Sequence, residues 1–410
     1  MGHVQKFSGQ PRKDGTRAVK WRAVTTNALG TRISKVCARK GDAQDWLKKV
    51  EAAPLVGAAD RTLVHVADDH YKWFDRLVKA GAKEAVTRDG YGTARDQHLK
   101  ADKTFAALPL SELTTPLCQA FLDAAFERTG SLDLVKRLRR VLVTWCDFAI
   151  RKGDLVVNFA RPCKVETVQR PEEDEDRVEI PDKAVLSLLL HAAAQGDHPE
   201  RDEAVVRLLM FGGLRISELL GLPDNGVPLS NQGGEIRVRE RLDRHYKVLG
   251  KLKSKRARRD VPIGPTAGLA VRAWRMKRGP VRGFFHVNAQ GERDQRPGRL
   301  FPGPDGEPLW GYLDFIRNCW TPMLRRAGLV EMLPDSKGKN RPVQAFGPHA
   351  MRHVAASLWI GQGLMPKKVQ ELLGHSTLAM TMDLYGHLWK DRDEDAELAR
   401  RSEAAISSAG

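Results

Sequence analysis

The sequence predicts a mainly α protein with small β-sheets, an α+β fold in several domains. Three observations predict it. The chain has 410 residues, more than the roughly 100–200 of a single domain. Apolar residues recur at near-helical spacing through long stretches. Strand-like runs are short and fall in two places, the first forty residues and a patch between 235 and 263.

Composition narrows the function classes. Charged residues make up 29% and the apolar set 41%, as in soluble globular proteins. No run of about 18 apolar residues exists, so no membrane partner is expected. The start, Met1 to Lys6, has no apolar core of a secretory signal, and Lys6 does not fit a myristoylation site. The formal net charge of +17 calls for a polyanionic partner, DNA or RNA ahead of lipid. Cys37, Cys118, Cys146, Cys163 and Cys319 are scattered with no C-x-x-C pair. That argues against zinc and against a disulfide framework, and points to a reducing cytoplasm. No metal and no cofactor are expected.

Residues 1–58 read as a small basic domain. Asp14-Gly15 is a hairpin signal. Arg17 to Val24 and Thr31 to Cys37 read as strands joined across Asn27 to Gly30. A helix follows with Trp46, Leu47 and Val50 on one face. A three-stranded sheet plus one helix results. Twelve Lys and Arg stand against five Asp and Glu in the first 60 residues, which suits either a DNA reader or a solvated basic face.

Residues 60–165 read as helical. Leu63, Val66, Tyr71, Trp73, Phe74, Leu77 and Val78 recur at near-helical spacing, as do Leu138, Val141, Leu142, Trp145 and Phe148. Pro109, Pro116 and Gly130-Ser131 punctuate the helices. Lys136, Arg137, Arg139, Arg140, Arg151 and Lys152 face phosphates or only water. An acidic linker, 166–178, carries the unbroken run Glu172 to Asp176. Residues 179–398 read as one larger, mostly helical domain. Pro181-Asp182-Lys183 suits its first helix start, and Glu235 to Val238 with Arg259 to Ile263 form its β patch. A tail, 399–410, closes the chain.

Four elements of this larger region carry chemistry. In Phe211-Gly212-Gly213-Leu214-Arg215-Ile216-Ser217-Glu218, one helix stops at the glycines and another begins near Ser217. Arg215 sits at that junction, where a guanidinium and a helix start favour an anion; Glu218 is placed to orient it. The second element runs from Lys251 to Pro262, with six basic residues among the eleven from 250 to 260. It reads as a hairpin tip that brings Lys251, Lys253, Lys255, Arg256, Arg258 and Arg259 to DNA. The third is Pro348-His349-Ala350-Met351-Arg352-His353. Here Pro starts a helix, His349 and Arg352 share a face three residues apart, and His353 falls near that face. The fourth joins Leu372-Leu373-Gly374-His375 to Met380-Thr381-Met382-Asp383-Leu384-Tyr385-Gly386-His387.

Together these residues suit phosphoryl transfer by a hydroxyl. Two arginines can hold the non-bridging oxygens by bidentate, charge-assisted bonds. One such preorganised donor is worth about 3–4 kcal/mol. A phenol, with reference pKa about 10, needs a base, and a neutral histidine can serve. A lysine can protonate the leaving 5′-hydroxyl. A phosphotyrosine keeps the energy of the broken bond, so resealing needs no ATP.

In this order, the four elements resemble the tyrosine recombinase family, the phage-type integrases in particular. The G-L-R-x-S-E-L box, the K-x-K-x-x-x-R-R-x-V-P hairpin, the H-x-x-R-H helix and the L-L-G-H-S…M-T-M-D-x-Y-G-H stretch carry the likeness across 208–387. The resemblance implies a three-domain architecture: an arm-type DNA-binding domain at 1–58, a helical core-binding domain at 60–165 and a mixed α/β catalytic domain at 179–398. It implies that Arg215 and Arg352 clamp the phosphate, with Glu218 in support. Lys253 is the implied general acid, Lys255 its alternative. His349 is the implied base or its helper, His375 the second histidine and Tyr385 the nucleophile of a 3′-phosphotyrosine intermediate. It further implies a homotetramer on two double-stranded DNA attachment sites, an excisionase and a DNA-bending protein as partners, and a nucleoid-associated role in a bacterial cytoplasm. The expected outcome is integration or excision of a mobile element or prophage. A type IB topoisomerase-like enzyme, a chromosome-dimer-resolving recombinase and a non-catalytic DNA-binding protein are the alternatives.

Overall fold

The structure, a computed structural model, describes residues 3–11, 17–26, 32–52, 61–165, 180–243, 247–252, 254–288, 291–334 and 339–389. The chain divides into two compact units, Met1–Val168 and Gln169–Gly410. The expected acidic linker, the Asp14-Gly15 and Asn27 to Gly30 turns and the 399–410 tail lie outside the described residues.

The first unit opens with strands β1 (His3–Pro11), β2 (Arg17–Thr26) and β3 (Arg32–Cys37), an antiparallel sheet in that order. Helix α1 (Lys40–Ala52) lies on it. Ala43 and Leu47, one turn apart, bury against Ala23 and Cys37, with Val4, Trp21 and Trp46 packed around them. The helices α2 (Leu63–Lys79), α3 (Ala85–Thr93), α4 (Lys103–Ala107), α5 (Thr115–Thr129) and α6 (Leu132–Lys152) follow. Local chemistry sets their ends. Pro116 occupies the first turn of α5, and Gly130 ends it in the left-handed region. The Ser131 hydroxyl accepts the Leu134 N–H at 3.3 Å and starts α6. Leu138, Leu142, Trp145 and Phe148 bury one face of α6. Each such side chain contributes about 1.5–3 kcal/mol when fully buried. Lys136, Arg137, Arg140, Arg151 and Lys152 stay exposed, whereas Arg139 donates to the Cys163 and Arg161 carbonyls.

The second unit is built around a helical core with small sheets. Its helices are α7 (Lys183–Ala193), α8 (Pro199–Gly212) and α9 (Ile216–Gly221). Asp182 caps α7, its carboxylate accepting the Val185 N–H at 2.8 Å. Next come β4 (Leu229–Ser230), β5 (Gly233–Val238), β6 (Glu240–Leu242), β7 (Leu249–Lys251) and β8 (Arg259–Ile263). Strands β4, β5 and β8 form one antiparallel sheet, in which Ile236 faces Val261. After α10 (Pro265–Arg278) come β9 (Phe284–Val287), β10 (Arg293–Arg296), α11 (Tyr312–Phe315) and α12 (Thr321–Arg326). The chain then runs through β11 (Val330–Pro334), β12 (Asn340–Gln344), α13 (Ala350–Gly361), α14 (Pro366–Leu373) and α15 (Leu378–Tyr385). Helix α8 is the hub: α7, α10 and α13 pack on it, and Val205, Val206, Leu208 and Leu209 are fully buried.

The mainly α fold with small sheets agrees with the sequence reading. The hairpins β9–β10 and β11–β12 do not follow from it. Met332, Leu333 and Val343 are exposed on β11–β12, so this hairpin has no apolar face to imprint a period of two.

Candidate active site

The site begins where α8 stops. Gly213 takes φ +57°, and a Cβ there would fall 2.9 Å from the Trp359 ring and 3.2 Å from the Ala355 Cβ. Only glycine allows this turn with α13 so close. The chain re-enters a helix at Ile216, and Arg215 is its N-cap. The Glu218 carboxylate accepts the Arg215 backbone N–H and its guanidinium, both at 2.9 Å.

Glu218 is nearly fully buried and does more than orient Arg215. Arg259 grips it from the first residue of β8, with bonds of 2.8 and 3.2 Å. Burial alone would raise the Glu218 pKa. The guanidiniums of Arg259, Arg352 and Arg215 overcome that and hold it at about 2. Three cations thus surround one carboxylate, and the excess positive charge suits an anion.

Arg352, in the first turn of α13, is 1% exposed. It donates to the Gly213 carbonyl at 2.7 Å and to the Leu373 carbonyl at 2.5 Å. Arg259 donates to the adjoining Leu372 carbonyl at 2.6 Å. These carbonyls close α8 and α14, where helices leave acceptors unpaired and the dipole is negative. The two arginines therefore complete helix ends while building the site. Burial and the Arg215 charge lower Arg352 to about 9, with Glu218 opposing. It remains a cation at neutral pH.

Three imidazoles border this cluster. His349 is the N-cap of α13 and keeps an exposed edge. Its pKa is lowered by desolvation of the rest of the ring and by Arg352 and Arg215. The His375 ring is buried just past the Gly374 turn, where φ is +67° and a Cβ would press within 3.2 Å of Ala257 and Arg259. His375 Nδ1 pairs with the Thr381 hydroxyl at 2.9 Å. Burial, then Arg352 and Arg215, bring its pKa down to about 3. His353 stands one turn after His349, the two rings edge-on at 4.9 Å. Burial, then the neighbouring His349 and Arg352, bring it to about 4. All three are neutral at pH 7.

Tyr385 closes α15 and is fully buried. Its hydroxyl lies 2.7 Å from His353 Nδ1. Burial pushes the phenol up to about 12, against the opposing pull of Arg352 and Arg215. Arg215, Glu218, His349, Arg352, His375 and Tyr385 thus share one electrostatic neighbourhood, though they come from segments up to 170 residues apart.

The basic hairpin divides. Lys251, Lys255, Arg256 and Arg258 are exposed, and Arg256 donates to the Ser376 carbonyl at 2.5 Å. Lys253 lies outside the described residues. Arg259, expected to face DNA, is instead buried against Glu218 and the end of α14. The signal for that was present: Arg259, Val261 and Ile263 alternate along β8 and share its buried face. His353, given no role by the motif, is the side chain that touches the Tyr385 hydroxyl.

The phage integrase family profile matches residues 181–392. The chain is 28% identical over 328 residues to the tyrosine recombinase XerC of Mycobacterium sp. (strain JLS), covering 78% of this chain and 93% of that protein. It is 23% identical over 359 residues to a XerC-like tyrosine recombinase of Caldanaerobacter subterraneus subsp. tengcongensis, covering 84% of each. Among solved structures, the Tn1549 transposon integrase in complex with a circular intermediate DNA matches with a TM-score of 0.63 at 19% identity, covering 83% of this chain and 99% of that one. A lambda integrase dimer bound to a COC′ core site matches with a TM-score of 0.52 at 14% identity, covering 93% of this chain and 94% of that one. These two structural likenesses are likenesses of fold.

Proposed function

This chain belongs to the phage integrase family, and so to the tyrosine-type site-specific recombinases, and we propose that it integrates or excises a mobile element at double-stranded DNA attachment sites. The observation that carries the chemistry is the cluster of Arg215, Arg259 and Arg352 around one carboxylate, with a neutral phenol and three neutral imidazoles beside it. In this reading Arg215 and Arg352 bind the non-bridging oxygens of the scissile phosphate. The Tyr385 oxygen attacks phosphorus, a 3′-phosphotyrosine forms and the 5′-oxygen leaves. Lys253, or Lys255 in its place, protonates that oxygen. His349 and His375 hydrogen-bond the phosphate or take the phenol proton. The reverse attack by a 5′-hydroxyl reseals the strand.

The proposed division of labour follows the fold. Residues 1–58, a basic sheet with a helix on it, bind arm-type DNA. Residues 60–165 grip the core site together with the catalytic domain at 179–398, and four copies act on two sites. The likeness of fold to a lambda integrase dimer bound to a COC′ core site supports the core-site assignment. An excisionase and a DNA-bending protein are the accessory partners of this reading. Among the described residues no helix is long and apolar enough to cross a membrane.

Tyr385→Phe is expected to abolish covalent protein–DNA adducts on a nicked suicide substrate while leaving binding intact. Adducts that survive the change would falsify the nucleophile assignment. The XerC relatives favour a second reading, resolution of chromosome dimers. A two-plasmid assay separates the two: recombination between element-end and host attachment sites supports integration, and recombination confined to identical chromosomal sites supports resolution.

A further inference from the structure

Helix α15 is thinly anchored. Its buried residues are Thr381 and Tyr385, one turn apart, while Leu378, Met380 and Met382 on its other faces stay about 40% exposed. Each buried residue is held by an imidazole: Thr381 by His375 at 2.9 Å and Tyr385 by His353 at 2.7 Å. Beyond the tyrosine, Trp389 Nε1 donates to the Leu364 carbonyl at 3.2 Å. Around the phenol lie Ala356, Ile360, Val369 and Leu373. A hydroxyl with no exposed surface cannot reach a phosphate on a DNA duplex, so this is a resting geometry.

We propose that His353 is a positioning residue that latches the nucleophile: its Nδ1 accepts the Tyr385 hydroxyl hydrogen and keeps the phenol docked until DNA engagement frees α15. The inference rests on Tyr385 being the nucleophile. His353 is suited to holding rather than deprotonating. Burial and the adjacent His349 and Arg352 keep it neutral and weakly basic, while burial keeps the phenol protonated. A proton would have to move from a weak acid to a weaker base, whereas a neutral acceptor bond needs no such transfer and breaks when the helix shifts.

The test uses the full-length protein without DNA. N-acetylimidazole acetylates accessible phenols, and peptide mass spectrometry reads each tyrosine. In the wild type, the partly exposed Tyr71 and Tyr312 are expected to react well before Tyr385. In His353→Leu, Tyr385 should react about fivefold faster, the factor one net hydrogen bond supplies. His353→Gln, which restores an acceptor, should return protection toward the wild-type rate. Equal protection in wild type and His353→Leu would overturn the latch, because packing alone would then hide the phenol. Should His353→Leu fail to fold, the wild-type 15N imidazole spectrum decides. An unprotonated Nδ1 whose resonance moves in Tyr385→Phe supports the latch; a protonated Nδ1, or no movement, overturns it. Adducts surviving in Tyr385→Phe overturn both readings. Adducts abolished there, with labelling unchanged in His353→Leu, overturn the latch alone.

Discussion

The buried cluster around Glu218 and the exposed tip from Lys251 to Arg258 use the same cationic side chains to opposite ends. In the cluster, the guanidiniums of Arg259 and Arg352 are out of water, and carboxylate or helix-end carbonyls replace the missing hydration. At the tip, Lys251, Lys255, Arg256 and Arg258 keep their solvent. Removing a buried partner strands a charge in low dielectric. Removing an exposed one changes mainly the long-range field felt by a polyanion. A basic motif therefore divides by burial, not by sequence proximity: Arg258 and Arg259 are adjacent and fall on opposite sides of the divide.

The largest effect that could break this comparison is Arg259→Met. It leaves Glu218 buried without its bidentate partner, and stability is expected to fall by about 3–5 kcal/mol. Calorimetry on the full chain measures it, and a change within experimental error would place Arg259 with the exposed group. A somewhat smaller effect concerns acid. The folded Glu218 pKa, about 2, lies below its ordinary 4.5. Its stabilisation is therefore present above pH 4.5 and disappears as pH falls toward 2, amounting to about 3 kcal/mol by linkage. Denaturant titrations at pH 6 and pH 3 should show a clearly larger decline in the wild type than in Glu218→Gln, where other lowered carboxylates such as Asp96 still titrate. The smallest effect on stability belongs to the tip. Replacing Lys251, Arg256 and Arg258 by Ala should leave stability within about 0.5 kcal/mol for each. It should flatten the slope of log affinity against log salt by about 0.9 for each phosphate that is no longer neutralised. An unchanged slope would remove the tip from the DNA interface.

Local rules made much of the fold legible. Pro116, Gly130, Ser131 and Asp182 bound their helices because caps and breakers act within one turn. The stripe on α6 buries as its spacing requires. The hairpin β11–β12 escaped because its side chains largely face water, and β9 escaped because Phe285 and Val287 on its exposed face are as apolar as Phe284 on its inner one, so neither left an apolar alternation behind. In the candidate site, motif spacing singled out Arg215, Glu218, His349, Arg352, His375 and Tyr385.

Local sequence sets which residues could do the chemistry and where the helices that carry them begin and end. Tertiary structure alone decided who touches whom. Arg259 meets Leu372 across 113 positions and Glu218 across 41, and His353 meets Tyr385 across 32. Those partnerships arise because a buried guanidinium or phenol must find its hydrogen bonds within the packed interior. Which partner it finds depends on how α8, α13, α14 and α15 come together, and no local spacing in the chain encodes that meeting.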